Sequence, residues 1–229
     1  MKTLTLPLPP AQHEGVPWPA FVLCFVAYLL SGTVSTLLSV YLPPIQADLG
    51  AGAPAGALLN AAFLYGWVLG GFGSGLLADR LGRVRALALA IALVGLGTLL
   101  AVWVTRWEVF TALRFVAGAG VGGVLVVTTI YVSETWPTRS RPVALGVLSS
   151  AFPVGLVLSG ALNLWFGSWR EAFGWGALLL GLAPVVAWGL REPEDWAVSR
   201  EKTGTPPVRR RSPEHRGNLL RGSLVFGAV

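Results

Sequence analysis

The stretch Gly75-Leu76-Leu77-Ala78-Asp79-Arg80-Leu81-Gly82-Arg83-Val84-Arg85 places a charged, glycine-containing turn between two long apolar runs. Each run is about as long as the roughly 20 residues that a helix needs to cross a bilayer. Because a turn leaves backbone polar groups without partners, it has to lie at a water interface and not in lipid. The stretch therefore predicts two membrane-crossing helices joined by a short polar hairpin.

The composition extends this interpretation to most of the chain. Of the 229 residues, 54% are hydrophobic and 12% are charged, and the mean hydropathy is +0.65, whereas soluble domains contain about 25% charged residues. Apolar runs long enough to cross a bilayer occupy residues 21–41, 57–78, 86–104, 109–132, 143–166 and 172–190. We expect an all-α, polytopic transmembrane bundle of six helices, and an apolar segment near Leu219 predicts the start of a seventh.

The basic residues are distributed unevenly over this predicted topology. If the N-terminus is cytoplasmic, all of the 17 Lys and Arg residues except Arg106, Arg114 and Arg170 fall in cytoplasmic segments. Such an excess is the positive-inside bias of membrane proteins. It predicts a multi-pass protein of the cell (inner) membrane whose N-terminus and 191–217 linker are cytoplasmic. The run Arg209-Arg210-Arg211 in this linker is expected to contact anionic lipid head groups rather than nucleic acid.

Short connections between the apolar runs predict an up-and-down bundle, since neighbouring helices joined by few residues run antiparallel. We expect a cytoplasmic leader at residues 1–17, the bundle at 18–190, a linker at 191–217 and the truncated start of a seventh helix at 218–229. Six helices and a charged linker are typical of the first half of a twelve-helix transporter. The missing partner is then a C-terminal six-helix half or a second copy of this chain. The sequence leaves open whether truncation, a frameshift or a natural half-size chain accounts for this length.

The stretch from Gly75 to Arg85 resembles a signature of the major facilitator superfamily: glycine, three residues, aspartate, arginine, any residue, glycine, arginine, any residue, arginine. Residues 42–50 (Leu-Pro-Pro-Ile-Gln-Ala-Asp-Leu-Gly) and 114–120 (Arg-Phe-Val-Ala-Gly-Ala-Gly) are similar to further motifs of that family. The resemblance implies the N-terminal half of the fold, with six helices in 3+3 inverted repeats. It also implies a substrate site near the bilayer midplane between two rocking halves.

A second set of residues favours particular branches of this family. The run Tyr131-Val132-Ser133-Glu134-Thr135-Trp136-Pro137 with Arg141, and the pair Trp169-Arg170, are similar to the sugar-porter and organic-acid (metabolite:proton) symporter branches. Pro142 stands where those branches have glycine, and Val124 replaces a glutamate common in the aromatic-acid symporters. Pro153 and Gly155 lack the adjacent glycine-proline pair typical of drug antiporters. The resemblance therefore favours uptake over drug efflux.

Two acidic residues lie where helices are predicted to end. Asp79 and Glu134 fall beside unpaired carbonyls at the negative pole of a helix dipole, which disfavours a carboxylate unless a cation is near. The resemblance implies that such groups close the cytoplasmic face in the outward-open state. The predicted gating charge cluster consists of Asp79, Arg80, Gly82, Arg83, Glu134 and Arg141. The alternative is that the arginines only set the topology and that the acids are solvated.

Polar residues recur on one face of several predicted helices and indicate a central substrate cavity. The candidates are Tyr28, Ser31, Ser35, Asn60, Arg114, Ser149 and Asn163. Arg114 lies inside the fourth helix, so it either faces the cavity and attracts an anionic substrate or snorkels to the interface. The alternative for the serines is a hydrogen bond to their own helix backbone.

These patterns predict secondary active transport of a small organic solute, such as an organic acid, a sugar or a similar metabolite, by alternating access. The expected partners are the small-molecule substrate, the lipid bilayer and a second six-helix unit, with no nucleic acid, cofactor or metal. The alternatives are a membrane interaction or assembly protein, or a half-size relic, that keeps the fold without transport, and efflux of hydrophobic drugs. An enzyme is not expected because no Ser-His-Asp, Cys-His or metal-ligand pattern occurs. Proton coupling stays open, since no predicted span contains a buried Asp, Glu or His.

Overall fold

The computed structural model describes residues 17–193. Within them the chain forms seven α-helices and one 3₁₀ turn, with no strand. The helices are α1 (Trp18–Leu49), α2 (Ala53–Leu81), α3 (Arg83–Leu100), α4 (Trp107–Thr135), α5 (Arg141–Trp165), α6 (Trp169–Phe173) and α7 (Gly176–Gly189), and the 3₁₀ turn (Ala101–Trp103) follows α3. Six segments are long and apolar enough to cross a membrane, with α6 and α7 together forming the sixth. The predicted all-α, multi-pass fold is confirmed.

Some predicted segments lie outside the described residues. These are the leader apart from Pro17, the linker beyond Pro193 and the seventh helix at 218–229. The described helices occupy residues 18–189, and the remaining boundaries stay predictions.

The first helix continues past the two prolines at which we expected it to end. Pro43 and Pro44 each lack the N–H that would bond to a carbonyl four residues earlier. The helix nevertheless extends to Leu49, because Ile45 and Leu49 pack into the core at 0% and 6% exposure. It ends at Gly50, whose φ of 62° lies in the left-handed region that glycine adopts without strain and whose N–H bonds to the carbonyl of Gln46.

Glycines set how closely the helices approach one another. α2 lies along α4, and a side chain at Gly66 or Gly70 would collide with the α4 backbone at Phe115 or Ala119. In lipid, burying apolar surface between helices gains little, so close backbone contact supplies the packing energy. The same kind of contact joins α1 to α5, and α3 packs on both α4 and α7.

Large apolar side chains of α2 and α5 remain uncovered in the six-helix unit. Tyr65 and Phe72 on α2 are 69% and 75% exposed, and Val157 on α5 is 75% exposed. In a membrane protein, such faces contact lipid or a second helical unit instead of water.

The two ends of the bundle carry different clusters of polar side chains. The α2–α3 and α4–α5 connections and the end of α7 lie at one end, which we call the Arg83 end and define by Asp79, Arg83, Glu134 and Glu192. The α1–α2, α3–α4 and α5–α6 connections lie at the opposite end. We call it the Arg170 end and define it by Asp48, Val102, Val104, Trp169 and Arg170.

Candidate functional site

Arg83 is the centre of the charge cluster at the Arg83 end. Its Nε donates to Glu134 Oε2 at 2.9 Å, and its Nη2 donates to Glu134 Oε1 at 2.9 Å. Nη1 donates to the carbonyl of Ala78 at 3.0 Å, and Nη2 lies 3.2 Å from Asp79 Oδ1. The Arg83 side chain is only 12% exposed. Because this bidentate ion pair is shielded from water, it links α2, α3 and α4 more strongly than an exposed ion pair would.

Helix polarity explains why Arg83 and Glu134 face each other. Arg83 begins α3, at the positive pole of that helix, and Glu134 lies in the last turn of α4, at the negative pole. Each charge therefore lies at the disfavoured end of its own helix, which costs about 0.3–1 kcal/mol. Their mutual contact offsets both penalties.

A third carboxylate, which the sequence analysis missed, completes this cluster. Glu192 accepts hydrogen bonds from the backbone N–H groups of Arg83 at 2.8 Å and Val84 at 3.1 Å. These groups open α3 and have no partner within the helix, so Glu192 acts as a cap. Gly82 makes room for it: with a φ of 108° and no side chain, it leaves the space that the Glu192 carboxylate occupies.

Two predicted members of the charge cluster, Arg141 and Arg80, have surroundings different from those of Arg83. Arg141 directs Nε and Nη2 at the carbonyl of Trp136, at 3.4 and 3.3 Å, because the first turn of α5 faces the last carbonyls of α4. Within residues 17–193, the hydrogen bonds of the Arg141 side chain go to this carbonyl. Arg80 is exposed. The contacts described above join Asp79, Gly82, Arg83 and Glu134 of the predicted cluster.

Arg170 is the centre of a second cluster, at the Arg170 end. Its Nη1 donates to Asp48 Oδ2, its Nε to the carbonyl of Val102 at 3.1 Å and its Nη2 to the carbonyl of Val104 at 3.3 Å. Trp169 Nε1 also donates to Asp48, at 3.1 Å, and the guanidinium carbon of Arg170 lies 4.2 Å from the Trp169 ring centroid. The cluster ties α1, the chain after α3 and α6 together. Sequence reasoning identified the motifs that contain these residues but not their contact.

Arg114 lies in the interior of the six-helix unit. Its exposure is 1%, and among residues 17–193 none of its three side-chain nitrogens has a hydrogen-bond partner. Its guanidinium carbon lies 4.4 Å from the ring centroid of Phe63 on α2 and 5.9 Å from that of Phe173 on α6. Aromatic faces therefore provide cation–π contacts. Arg114 does not snorkel to the interface, and its burial keeps it off the surface of this unit.

Among the other predicted cavity residues, Tyr28 and Ser149 come together. The Tyr28 hydroxyl lies near the hydroxyl groups of Ser149 on α5 and Thr129 on α4. Tyr28 is 9% exposed, whereas Ser149 and Thr129 are exposed. Three helices thus contribute hydroxyl groups to one patch on the surface of the six-helix unit. The sequence analysis did not identify Thr129.

The remaining cavity candidates do not join this hydroxyl patch. Ser31 and Ser35 donate to carbonyls four residues earlier in α1, at 2.8 and 2.7 Å, and Asn60 does the same in α2 at 3.3 Å. Asn163 lines a cleft at the Arg170 end together with Asp48. Ser31 and Ser35 therefore follow the backbone-bonding alternative given for the serines, and Asn60 bonds to its own helix in the same way. Within residues 17–193 no group of three metal-ligating side chains occurs.

The family of this chain follows from its match to a known family model. The family model of the Major Facilitator Superfamily matches residues 24–229 of this chain. This range includes Arg114 and the clusters around Arg83 and Arg170. The chain belongs to the major facilitator superfamily. This agrees with the resemblance of residues 75–85, and the six described spans correspond to the N-terminal half of a major facilitator protein.

Named relatives of this chain include transporters. The chain is 34% identical to the 4-hydroxybenzoate transporter PcaK of Pseudomonas aeruginosa over 183 residues, which are 79% of this chain and 39% of that protein. It is 29% identical to the cis,cis-muconate transport protein of Acinetobacter baylyi over 184 residues, or 79% of this chain and 45% of that protein. This major facilitator chain thus spans less than half the length of these curated relatives.

Solved major facilitator structures share the fold. The structure of the proton:xylose symporter XylE matches with a TM-score of 0.73 over 82% of this chain and 47% of that chain. The sequence identity of 20% limits this likeness to the fold.

Proposed function

We propose that this major facilitator chain forms the N-terminal half of a secondary transporter that takes up a small organic acid by alternating access. In this proposal the Arg83 end faces the cytoplasm, in agreement with the excess of basic residues on that side. A second six-helix unit, from the same polypeptide or a second copy, covers the exposed faces of α2 and α5. The solute binds between the two units.

The buried charge of Arg114 is the observation that supports an organic acid as the solute. Placing an arginine at the centre of a membrane helix costs about 2.5–3.5 kcal/mol. The rings of Phe63 and Phe173 offset part of this cost, and no carboxylate within residues 17–193 pairs with the guanidinium. The field of this buried charge attracts a solute carboxylate bound on the surface of the unit, whereas a cationic solute is repelled.

The charge of Arg114 reaches the middle of the bundle. Its guanidinium carbon is 4.4 Å from the Phe63 ring centroid, which is 6.0 Å from that of Trp67 at the middle of α2. The charge is therefore within about 10 Å of the Trp67 ring, where opposite unit charges attract by roughly 1.7 kcal/mol at an effective dielectric constant of 20. This attraction corresponds to a more than tenfold gain in affinity for an anion.

The solutes named for the relatives support an acid, since 4-hydroxybenzoate and cis,cis-muconate both carry carboxylates. The membrane potential opposes entry of an anion by about 2.3 kcal/mol per charge at 100 mV. Import of a proton with each carboxylate removes this opposition. We therefore include proton coupling in the proposal.

The proposal assigns gating to the Arg83 cluster. Its charges lie on α2, α3, α4 and the chain after α7, so opening of the Arg83 end would change the spacing between them. In this account the cluster is intact when the transporter is open to the outside and loosens when the cytoplasmic side opens.

Uptake of 4-hydroxybenzoate and cis,cis-muconate into vesicles, with and without a pH gradient that is acidic outside, tests this function. Arg114→Gln should lower uptake more than tenfold because the attraction to the carboxylate is lost. The matched control is Arg106→Gln, which removes a 74% exposed arginine beside the same helix and should leave uptake unchanged. Normal uptake by Arg114→Gln, with membrane insertion verified, would contradict the proposal.

A further inference from the structure

Trp67 and Phe152 form an aromatic surface at mid-depth in the bundle. Trp67 lies at the middle of α2 and Phe152 near the middle of α5. Their ring centroids are 5.6 Å apart, with 40° between the ring planes. On α1, Tyr28 adds a third ring, 6.3 Å from that of Phe152 at an angle of 80°. Trp67 and Phe152 are only partly buried, so part of their surface is open to a molecule bound against the six-helix unit.

Close helix packing fixes these rings. A side chain at Gly122 of α4 would lie 2.8 Å from Trp67 Cδ1, so α4 leaves only enough space for the indole. A side chain at Gly32 of α1 would lie 3.1 Å from Phe152 Cα, so α1 packs directly on that part of α5. The aromatic surface is therefore set before a solute arrives, which lowers the entropy cost of binding.

Polar groups lie near this aromatic surface. The charge of Arg114 lies within about 10 Å of Trp67, beyond the Phe63 ring, by the distances given above. The Tyr28 hydroxyl joins the patch that it forms with Ser149 and Thr129. The arrangement suits a flat ring that carries a carboxylate at one edge and a hydrogen-bonding group at another.

We propose that Trp67, Phe152 and Tyr28 form a ring-binding subsite that makes the transporter prefer planar, unsaturated acids over saturated acids of the same charge. This inference rests on the proposed transport of organic acids. A planar ring contacts the faces and edges of Trp67 and Phe152 in offset or edge-to-face geometry, which a puckered saturated ring cannot reproduce. Arg114 selects the charge, and the aromatic surface selects the ring.

Equilibrium binding of benzoate and cyclohexanecarboxylate to the full chain in lipid nanodiscs tests the subsite. Both molecules carry one carboxylate on a six-membered ring, so they differ mainly in the planarity of that ring. The wild type should bind benzoate between about two- and tenfold more tightly. Trp67→Leu and Phe152→Leu should each reduce this ratio towards one. Trp188→Leu, which removes an 88% exposed tryptophan from α7, is the matched control and should keep the wild-type ratio.

The outcomes separate the subsite from the function on which it rests. Equal binding of the two acids by the wild type, or an unchanged ratio in both leucine variants, overturns the ring subsite and leaves organic-acid transport standing. If neither acid binds to the wild type, the proposed function fails and the subsite fails with it. Because Trp67 and Phe152 lie on different helices, a folding defect in one variant leaves the other as the test.

Discussion

The two ends of the bundle are both organised around an arginine, but the two arginines have different partners. Arg83 is paired with the carboxylates of Glu134 and Asp79 and is 12% exposed. Arg170 is 36% exposed and contacts one carboxylate, that of Asp48, and two backbone carbonyls. Carboxylates on separate helices part when those helices move, whereas bonds to loop carbonyls mainly fix the loop. We therefore expect the Arg83 end to control transport and stability, and the Arg170 end to act as a structural tie.

Arg83→Gln should have the largest effect. The substitution leaves Glu134 and the Ala78 carbonyl without their partner, which should cost about 2–4 kcal/mol, near the range for breaking a buried ion pair. Uptake should fall more than tenfold if the cluster gates transport. The control is Arg85→Gln, at an exposed arginine in the same helix turn. Thermal unfolding in detergent and vesicle uptake measure these two effects. Equal melting temperatures for Arg83→Gln and Arg85→Gln would contradict the stabilising role of the Arg83 cluster.

Arg170→Gln should have a smaller effect on stability and little effect on uptake. Asp48 and Arg170 are 43% and 36% exposed, so water replaces part of the lost contact. The melting temperature should fall less than in Arg83→Gln, with Arg106→Gln as the control at the same end of the bundle. A loss of uptake as large as that of Arg83→Gln would show that the two ends do not differ as we expect.

Glu192→Gln should lower stability slightly, by about 0.5–1 kcal/mol, because the amide still accepts hydrogen bonds from α3 but loses the charge that favours a helix N-terminus. Thermal unfolding at low and high salt checks this prediction, since screening should shrink the difference between wild type and Glu192→Gln. A difference that is independent of salt would argue against a charge–dipole effect.

Asp79→Asn should have the smallest effect on stability. The Asp79 side chain is 59% exposed and lies 3.2 Å from Arg83, and exposed pairs contribute under about 1 kcal/mol. Uptake should still fall if Asp79 belongs to the gate. Normal uptake rates with intact membrane insertion would remove Asp79 from the gate and leave Glu134 as the carboxylate that pairs with Arg83 in gating.

The sequence predicted the fold because span length and apolarity are local properties. All six spans lie where the apolar runs predicted them, but α1 ends at Leu49 and not near residue 41. The sequence signal of Pro43 and Pro44 was outweighed by the burial of Ile45 and Leu49, which depends on neighbouring helices. Local rules therefore predicted the existence of helices better than their ends.

The candidate site was predicted only in part, because some of its contacts join residues that are far apart in the sequence. Asp79, Arg83 and Glu134 meet because each lies at a helix end, which the sequence shows. Glu192 was missed because its bonds to α3 span more than a hundred residues of chain. The burial of Arg114 against Phe63 depends on the rotation of α4, which its own sequence does not determine.

The central claim is that attraction between Arg83 and Glu134 controls transport, and exchanging the two charges tests it most directly. Vesicle uptake and thermal unfolding are measured for Arg83→Glu, Glu134→Arg and the double variant. Each single variant should lose uptake, because like charges then face each other. The double variant should regain part of the uptake and stability, because the exchange restores the attraction to position 134 and moves each charge to the favoured pole of its helix. The recovery should be partial because the carboxylate at position 83 still faces Asp79 and Glu192. A double variant no more active and no more stable than the single variants would contradict this account.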